Sequence, residues 1–209
     1  MNTTLHDGII LASESPRRKD LLQRMGLEFT VIPSGLVEMP PMGDSPCAYV
    51  SRMAMEKAVH VGQSYPTHVV IGADTIVVCE GHIMGKPGSV KEASLMLSRL
   101  ASKWHEVWTG LCVTVRNQHV EIVKAIRSRV CFRDLSLADI ETYVATGEPM
   151  DKAGAYAIQG KGGALVKSIE GSFHNIIGLP TLELGKILLD LGVLKEEPQL
   201  GCDPLFRQS

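Results

Sequence analysis

The sequence predicts a mixed α/β domain in which strands and helices alternate along most of the chain. Apolar runs rich in β-branched residues alternate with segments whose apolar residues recur at helical spacing. Serine N-caps and glycine stops mark the ends of several helical segments. The 209 residues are 44% hydrophobic and 21% charged, which is typical of a globular protein. Disordered, collagen-like and coiled-coil classes are therefore excluded.

The chain begins with a strand that runs into a helix. Ile9–Leu11 is a short apolar run, and after it Ser15 suits an N-cap and Pro16 the first position of a helix. Gly26 supplies the stop for that helix. Residues 29–34 then predict a second strand.

The next segments predict a long helix and a buried hairpin. Residues 46–63 repeat small apolar side chains every four positions, which is typical of an amphipathic helix. Residues 68–79 are rich in β-branched residues and predict a buried strand. The Glu80-Gly81 pair can turn this strand back into residues 82–87.

The middle of the chain predicts a capped helix followed by two long strands. Ser89 and Glu92 have the spacing of a capping box at the start of a helix over residues 89–102. Residues 106–116 and 120–132 flank Asn117-Gln118 and predict antiparallel strands. The second of them alternates basic and apolar residues, so one of its faces is expected to meet solvent.

The last third predicts two helices separated by a glycine-rich loop. Residues 136–147 resemble a helix that Ser136 caps. Residues 150–171 form a loop that leads into a short strand, and residues 181–192 form the final helix. From this pattern we expect one domain over residues 1–194 and a loose tail over residues 195–209.

Charge, apolar run length and cysteine content exclude several function classes. The formal net charge is −2, so there is no global positive field to hold a nucleic-acid backbone or an anionic membrane. The longest apolar stretches fall well short of the ~20 residues that a spanning helix needs. The N-terminus lacks a secretory signal, which predicts a cytoplasmic protein. Its five cysteines are scattered, which disfavours a disulfide framework and a structural zinc site.

Two arginines lie in the first turn of the first predicted helix. Arg17 and Arg18 repel the positive end of the helix dipole, so a bound anion such as a phosphate chain explains their presence better than helix stability does. A solvated basic turn is the alternative.

Asp74 is an acidic residue at the end of a strongly apolar run. A carboxylate in that position is costly unless it is paired or bound to a metal, which favours a functional role. Lys57 and Lys86 are natural partners for it. A simple turn cap is the alternative.

The loop over residues 151–163 combines glycines with an amide and a cation. Gly160, Gly162 and Gly163 allow close backbone approach, while Gln159 can read a base edge and Lys161 adds a charge. The spacing fits neither a P-loop nor a dinucleotide-binding fingerprint, so a plain loop is the alternative. The histidine and serine spacings also disfavour zinc and serine hydrolases.

Six motifs in a fixed order carry a resemblance to a known family. They are LASESPRR, EKA at residues 56–58, GADTIV, GKP, WTG and DKAGAYAIQGKGG. Together they resemble the Maf family of nucleoside triphosphate pyrophosphatases over residues 9–192. The resemblance implies an α/β Maf-like fold, related to inosine triphosphate pyrophosphatase, with a mixed twisted sheet, helices and two lobes around a central cleft.

The resemblance also implies roles for individual residues. Asp74 resembles the family's proton acceptor, and Glu38 with Asp74 its contacts to a divalent cation, Mg²⁺ or Mn²⁺. The positions that set base choice correspond to Arg17, Thr75 and Gln159. The phosphate contacts correspond to Ser15, Arg18, Lys57 and Lys86.

The implied reaction is hydrolysis of a nucleoside triphosphate to the monophosphate and pyrophosphate. The Arg, Thr and Gln combination is similar to the subfamily acting on dTTP and UTP, with modified pyrimidine triphosphates as further substrates in a house-cleaning role. A 7-methyl-GTP or broad-specificity pyrophosphatase, a nucleotide-binding regulator of division and an RNA-binding module are the alternatives. A homodimer is left open.

Overall fold

The computed structural model describes residues 6–37, 39, 41, 43–196 and 198, which form a mixed seven-stranded sheet with helices on both faces. The strands are β1 (Ile9–Leu11), β2 (Thr30–Val31), β3 (Val69–Cys79), β4 (His82–Met84), β5 (Trp104–Val115), β6 (Val120–Phe132) and β7 (Val166–Glu170). The helices are α1 (Pro16–Arg24), α2 (Pro46–Ser64), α3 (Val90–Leu100), α4 (Leu137–Val144), α5 (Phe173–Ile177) and α6 (Thr181–Asp190). This confirms the predicted mixed α/β class.

The sheet changes from parallel to antiparallel at β3. The strand order is β2-β1-β3-β5-β6-β7, and β4 also pairs with β3. β1 runs parallel to β2 and β3, whereas β5, β6 and β7 continue the sheet in antiparallel order. The long β3 strand is therefore the centre of the sheet.

One edge of β3 is interrupted by a notch. β1 pairs with residues 69–71 of β3, and β4 pairs with residues 77–79. Between them, residues 72–76 have no strand partner on that edge within the described part of the chain, although β5 pairs with them on the other edge. The middle of β3 is therefore accessible from one side of the sheet.

Alternation along β3 divides the core between the two faces of the sheet. The face that includes Val70, Ile76 and Val78 packs against α2. The opposite face, which includes Ile71 and Val77, packs against side chains from the other five helices. The notch therefore lies between two faces of the sheet that pack against different helices.

Local signals located most helices correctly. Ser15, Ser89 and Ser136 cap α1, α3 and α4, as predicted. In α3 the Glu92 carboxylate accepts from the N–H of Gly88, so the reciprocal half of the expected capping box is not made. In the predicted hairpin, Glu80 and Gly81 both have positive φ, as a tight turn between β3 and β4 requires.

Two elements differ from the expectation. The strand predicted over residues 29–34 contains only Thr30 and Val31, which are exposed and pair with β1 alone among the described strands. The five-residue helix α5, which Ser172 caps, was not predicted because it is too short to show helical periodicity. None of the described helices is both long and apolar enough to cross a membrane.

Candidate active site

A cavity of 510 Å³ opens at the notch of β3. Its walls come from the turn after β1, the N-terminus of α1, β3 and the segment over residues 151–159. The predicted site residues that line it are Ser15, Arg17, Arg18, Lys57, Asp74, Thr75, Lys86 and Gln159. Glu38, the predicted metal contact, lies outside the described residues. The cavity thus gathers predicted site residues that are up to 144 positions apart in the sequence, from Ser15 to Gln159.

Asp74 lies in the middle of β3 and forms a buried ion pair. Its side-chain Oδ1 accepts a hydrogen bond of 2.6 Å from Nζ of Lys57 on α2. Both residues are buried, at 6% and 8% exposure. The Lys57 ammonium therefore compensates the Asp74 charge in a site that is largely shielded from solvent.

Asp74 lies within the predicted strand, so the interpretation that placed its carboxylate at the terminus of an apolar run is wrong. The strand continues through the β-branched residues after it to Cys79. Asp74 still faces a cavity because the neighbouring strand β1 ends at Leu11, opposite Ile71. Its accessibility comes from a missing neighbour rather than from a strand terminus.

Two glycines allow α2 to approach the sheet closely. A Cβ on Gly72 would lie 2.3 Å from the carbonyl oxygen of Ala54, and a Cβ on Gly110 would lie 1.9 Å from that of Val50. Real atoms do not approach so closely, so only glycine fits under α2 at these positions. This close packing places Lys57 within reach of Asp74.

Thr75 projects from the opposite face of β3 and joins a polar network. The Arg18 guanidinium donates from Nη2 to Thr75 Oγ1 at 3.1 Å, from Nη1 to Ser13 Oγ at 2.9 Å and from Nε to the Gly178 carbonyl at 2.8 Å. Arg18 thereby connects the turn before α1, β3 and the segment after α5. It was predicted as a phosphate contact, and that role stays a prediction.

Gln159 precedes a loop that a single carboxylate holds in place. Glu148 accepts from the backbone N–H groups of Lys161 and Gly162 at 3.1 and 3.0 Å, and from the Tyr143 hydroxyl at 2.8 Å. Gly160 has a φ of 114°, a conformation that favours glycine. The loop after Gln159 is therefore fixed by contacts that lie outside the cavity lining.

A second cation lies near Lys86 that sequence reasoning did not select. The Gly154 N–H donates to the Gly85 carbonyl at 3.0 Å, which joins the segment containing Lys152 to the turn containing Lys86. Lys152 lines the cavity and donates to the Asp151 carboxylate. The Lys152 ammonium, with a smaller effect of Arg17, holds the pKa of Asp151 below its usual range. The signal that could have found Lys152 is the charged pair Asp151-Lys152, which opens the glycine-rich loop.

A buried histidine supports one wall of the cavity. Tyr156 lines the cavity, and its hydroxyl is 2.9 Å from Nε2 of His105. Burial lowers the pKa of His105 to about 4, so its imidazole is neutral at pH 7. His105 also meets Phe132 and Tyr156 edge to face. Sequence reasoning missed it because its partners are distant in the chain.

The cavity offers few oxygen ligands for a cation. The described residues contain no group of three or more acidic, histidine or cysteine side chains placed to hold a metal. Asp74 uses Oδ1 for Lys57, and no described residue hydrogen-bonds its Oδ2. One or two carboxylates are what Mg²⁺ commonly takes from a protein when substrate phosphates and water complete its shell. Asp74 therefore fits a Mg²⁺-type site that a phosphate ligand would share.

Fold and site together define a class of α/β protein with a charged cleft across the edge of its central sheet. Comparison with known proteins makes the assignment specific. The family model described as Maf-like protein matches residues 8–191. The chain belongs to the Maf family.

Curated relatives match a similar share of the chain. A protein of Dictyoglomus thermophilum named dTTP/UTP pyrophosphatase is 47% identical over 186 residues, which is 88% of this chain and 96% of that protein. A protein of Moorella thermoacetica with the same name is 46% identical, over 88% of this chain and 95% of its own length.

The chain is also similar to a third curated relative and, more weakly, to a solved structure. A protein of Geobacter sp. strain M21, also named dTTP/UTP pyrophosphatase, is 43% identical over 90% of this chain and 98% of that protein. A nucleoside-triphosphatase / dITP/XTP pyrophosphatase from Mycobacterium abscessus gives a TM-score of 0.41 at 13% identity, over 61% of this chain and 75% of that one. That structural likeness is too low to bear on the assignment.

Proposed function

We propose that the protein hydrolyses nucleoside triphosphates to the monophosphate and pyrophosphate, with dTTP and UTP as preferred substrates. The observation that carries the proposal is the buried Asp74 carboxylate, which lies at the notch of β3 in a cleft with several cationic side chains. The names of relatives that are 43–47% identical support the substrate class.

Asp74 acts as the general base in the proposed reaction. It accepts a proton from a water molecule whose oxygen forms a bond to the α-phosphorus. The bond from that phosphorus to the bridging oxygen breaks, and pyrophosphate leaves with the bridging oxygen. Lys57 holds the Asp74 carboxylate in place through the 2.6 Å hydrogen bond, which limits the reorganisation that proton transfer requires.

Cationic side chains around the cleft bind the triphosphate. A nucleoside triphosphate carries about four negative charges near neutral pH, which a protein of net charge −2 can offset only locally. Arg17, Arg18, Lys86 and Lys152 line the cavity and supply that local charge. Ser15 caps α1, where the helix N-terminus favours an anion.

A divalent cation is part of the proposal. Asp74 through Oδ2 and Glu38 would hold it together with phosphate oxygens. When bound, it supplies positive charge that stabilises the transferring phosphoryl group.

The base binds on the Thr75 side of the notch in this proposal. That side of the cavity is lined by the apolar residues Val77, Val107, Ile158 and Ile176, whereas Asp74 and Lys57 lie on the other face of the sheet. An apolar surface suits a flat base, and Gln159 is the amide that can meet its polar edge. The modified pyrimidine triphosphates expected for a house-cleaning role would be read at the same place.

The test is pyrophosphate release from ordinary and modified nucleoside triphosphates, with and without Mg²⁺ or Mn²⁺. We expect cation-dependent release that is fastest with dTTP and UTP. D74N should lower turnover by roughly 10² or more, the range that loss of a general base produces. D190N, which changes an exposed aspartate on α6, is the matched control and should keep wild-type turnover.

Three results would each contradict a different part of the proposal. Faster hydrolysis of GTP, ATP or 7-methyl-GTP would reject the pyrimidine preference. Tight nucleotide binding without pyrophosphate release would replace the enzyme by a nucleotide-binding regulator. Near-normal turnover by D74N would assign the base to another residue.

A further inference from the structure

A chain of hydroxyl groups runs from the cavity into the core. The Thr75 Oγ1 on β3 is 3.0 Å from the Thr109 Oγ1 on β5, and Thr109 Oγ1 is 3.0 Å from the backbone carbonyl oxygen of Asn175. Thr109 and Asn175 are both fully buried, whereas Thr75 lines the cavity. We propose that Thr109 fixes the Thr75 hydroxyl as a hydrogen-bond acceptor towards the base, so that the site takes the N3–H of uracil and thymine and disfavours cytosine. This proposal rests on the proposed function, because it places the base beside Thr75.

The direction of the protons follows from counting donors. The Asn175 carbonyl can only accept, and Thr109 has one hydroxyl proton. If that proton pointed at Thr75, the Thr109 Oγ1 and the Asn175 carbonyl oxygen would face each other at 3.0 Å in the core without a proton between them. Donation from Thr109 to Asn175 and from Thr75 to Thr109 instead satisfies both contacts. The Thr75 proton is therefore directed into the core.

The contact with Arg18 also requires the Thr75 hydroxyl oxygen to act as an acceptor. Its Nη2 donates to Thr75 Oγ1 at 3.1 Å, and the guanidinium has no acceptor, so Thr75 must accept there. A hydroxyl oxygen has two lone pairs. With its proton given to Thr109 and one lone pair used by Arg18, Thr75 can offer a ligand only its second lone pair.

An acceptor at this position distinguishes the pyrimidine bases. Uracil and thymine carry a proton on N3, whereas N3 of cytosine carries a lone pair. In this proposal Thr75 faces N3 rather than the exocyclic group at C4, so cytosine would leave two buried acceptors opposed, each without a hydrogen bond. Thr109, which touches no substrate in this proposal, is thus a positioning residue for base choice.

The decisive measurement is the ratio of kcat/KM for UTP to that for CTP. T109V removes the proton acceptor of Thr75 and frees its hydroxyl to rotate and donate, so this ratio should fall by about tenfold or more. T109S keeps the hydroxyl and should restore the wild-type ratio. T114V is the matched control, because Thr114 is also a buried threonine on β5 but donates to the Val120 carbonyl, away from the cavity.

A ligand-side experiment needs no variant. N3-methyl-UTP lacks the donor and should be hydrolysed at least about tenfold more slowly than UTP by the wild-type protein, whereas 5-methyl-UTP should not. An unchanged UTP-to-CTP ratio in a folded T109V protein, or hydrolysis of N3-methyl-UTP at the rate of UTP, would overturn the proposal.

Calorimetric binding of UTP and CTP without a divalent cation separates this proposal from the proposed function. If the protein binds both nucleotides but releases no pyrophosphate after Mg²⁺ or Mn²⁺ is added, the enzyme assignment fails, and the ratio of dissociation constants in T109V and T109S still decides the role of Thr109. If the wild-type protein binds neither nucleotide, either without or with Mg²⁺ or Mn²⁺, both proposals are overturned.

Discussion

Gln159 and Lys86 line the same cavity but offer a ligand different chemistry. The amide of Gln159 both donates and accepts, whereas Lys86 offers only positive charge. The two side chains are therefore expected to act on different parts of a nucleotide, and substitution can separate them.

Q159A should change base selectivity, and K86A should not. Loss of a buried hydrogen bond to the base would compress the kcat/KM ratio of UTP to a purine triphosphate by about 1–3 kcal/mol. K86A should slow both substrates by a similar factor, because every triphosphate shares the chain that Lys86 is proposed to hold. Steady-state kinetics on three proteins with two substrates is sufficient. The reverse pattern would mean that the base and phosphate ends are exchanged.

His105 makes the stability of the fold depend on pH. Its pKa is about 4 in the folded protein and about 6.5 in an unfolded chain, so the unfolded state binds the extra proton first as the pH falls. Stability contributed by neutral His105 is present in full above pH 6.5 and is lost as the pH falls towards 4. The difference of about 2.5 pKa units corresponds to a loss of at most about 3–4 kcal/mol in the free energy of unfolding.

Urea unfolding at several pH values between 7.5 and 4.5 checks this expectation. H105F should be less stable at pH 7.5, because it leaves Tyr156 without its partner, but should lose less stability on acidification than the wild type. H60Q removes an exposed histidine from α2 and should keep the wild-type pH dependence. Identical pH slopes for H105F and the wild type would show that another group is responsible.

At the scale of elements, the contact between α2 and the sheet decides whether the ion pair can form. Gly72 and Gly110 lie under the backbone of α2 on adjacent strands. The sequence indicated no role for either glycine, although Gly72 belongs to the GADTIV motif and Gly110 to the WTG motif. Small residues at these two positions set the distance from which Lys57 reaches Asp74.

G110A should therefore damage both stability and activity. Its Cβ would meet the Val50 carbonyl, and relief requires α2 to move away from the sheet, at a cost of about 1–3 kcal/mol or more. The movement would also lengthen the contact between Lys57 and Asp74. G85A is the control for stability, because a Cβ there meets nothing within 4 Å and the backbone has no positive φ. Urea unfolding and pyrophosphate release are measured for both variants. A G110A protein as stable and as active as G85A would contradict the expected effect of close packing under α2.

For the whole molecule, local signals in the sequence predicted most elements. Serine caps, glycine stops and β-branched runs act over a few residues, so they located α1, α2, α3, α4, α6 and the long strands. The strand order and the notch could not be predicted, because they depend on which strands pair across long sequence separations. The boundary expected after Leu194, the homodimer and the cytoplasmic location stay predictions.

The sequence predicted which residues line the site but not the hydrogen bonds that orient them. The residues that the family resemblance selected line one cavity, apart from Glu38, which lies outside the described residues. The partners that orient them were not found. Thr109 and Asn175 are 66 residues apart, and Glu148 lies 11 residues before Gln159. Such contacts carry no local pattern, so only the folded chain reveals them.

The notch in β3 also has a consequence for amide hydrogen exchange. In residues 72–76, N–H groups that point towards β5 are protected by pairing, whereas those that point into the notch lack a strand partner among the described residues. Deuterium uptake within this one strand should therefore alternate between slow and fast sites. A nucleotide that crosses the notch should slow the fast sites and leave the slow ones unchanged. Uniform protection along β3 would mean that the interrupted edge is closed in solution.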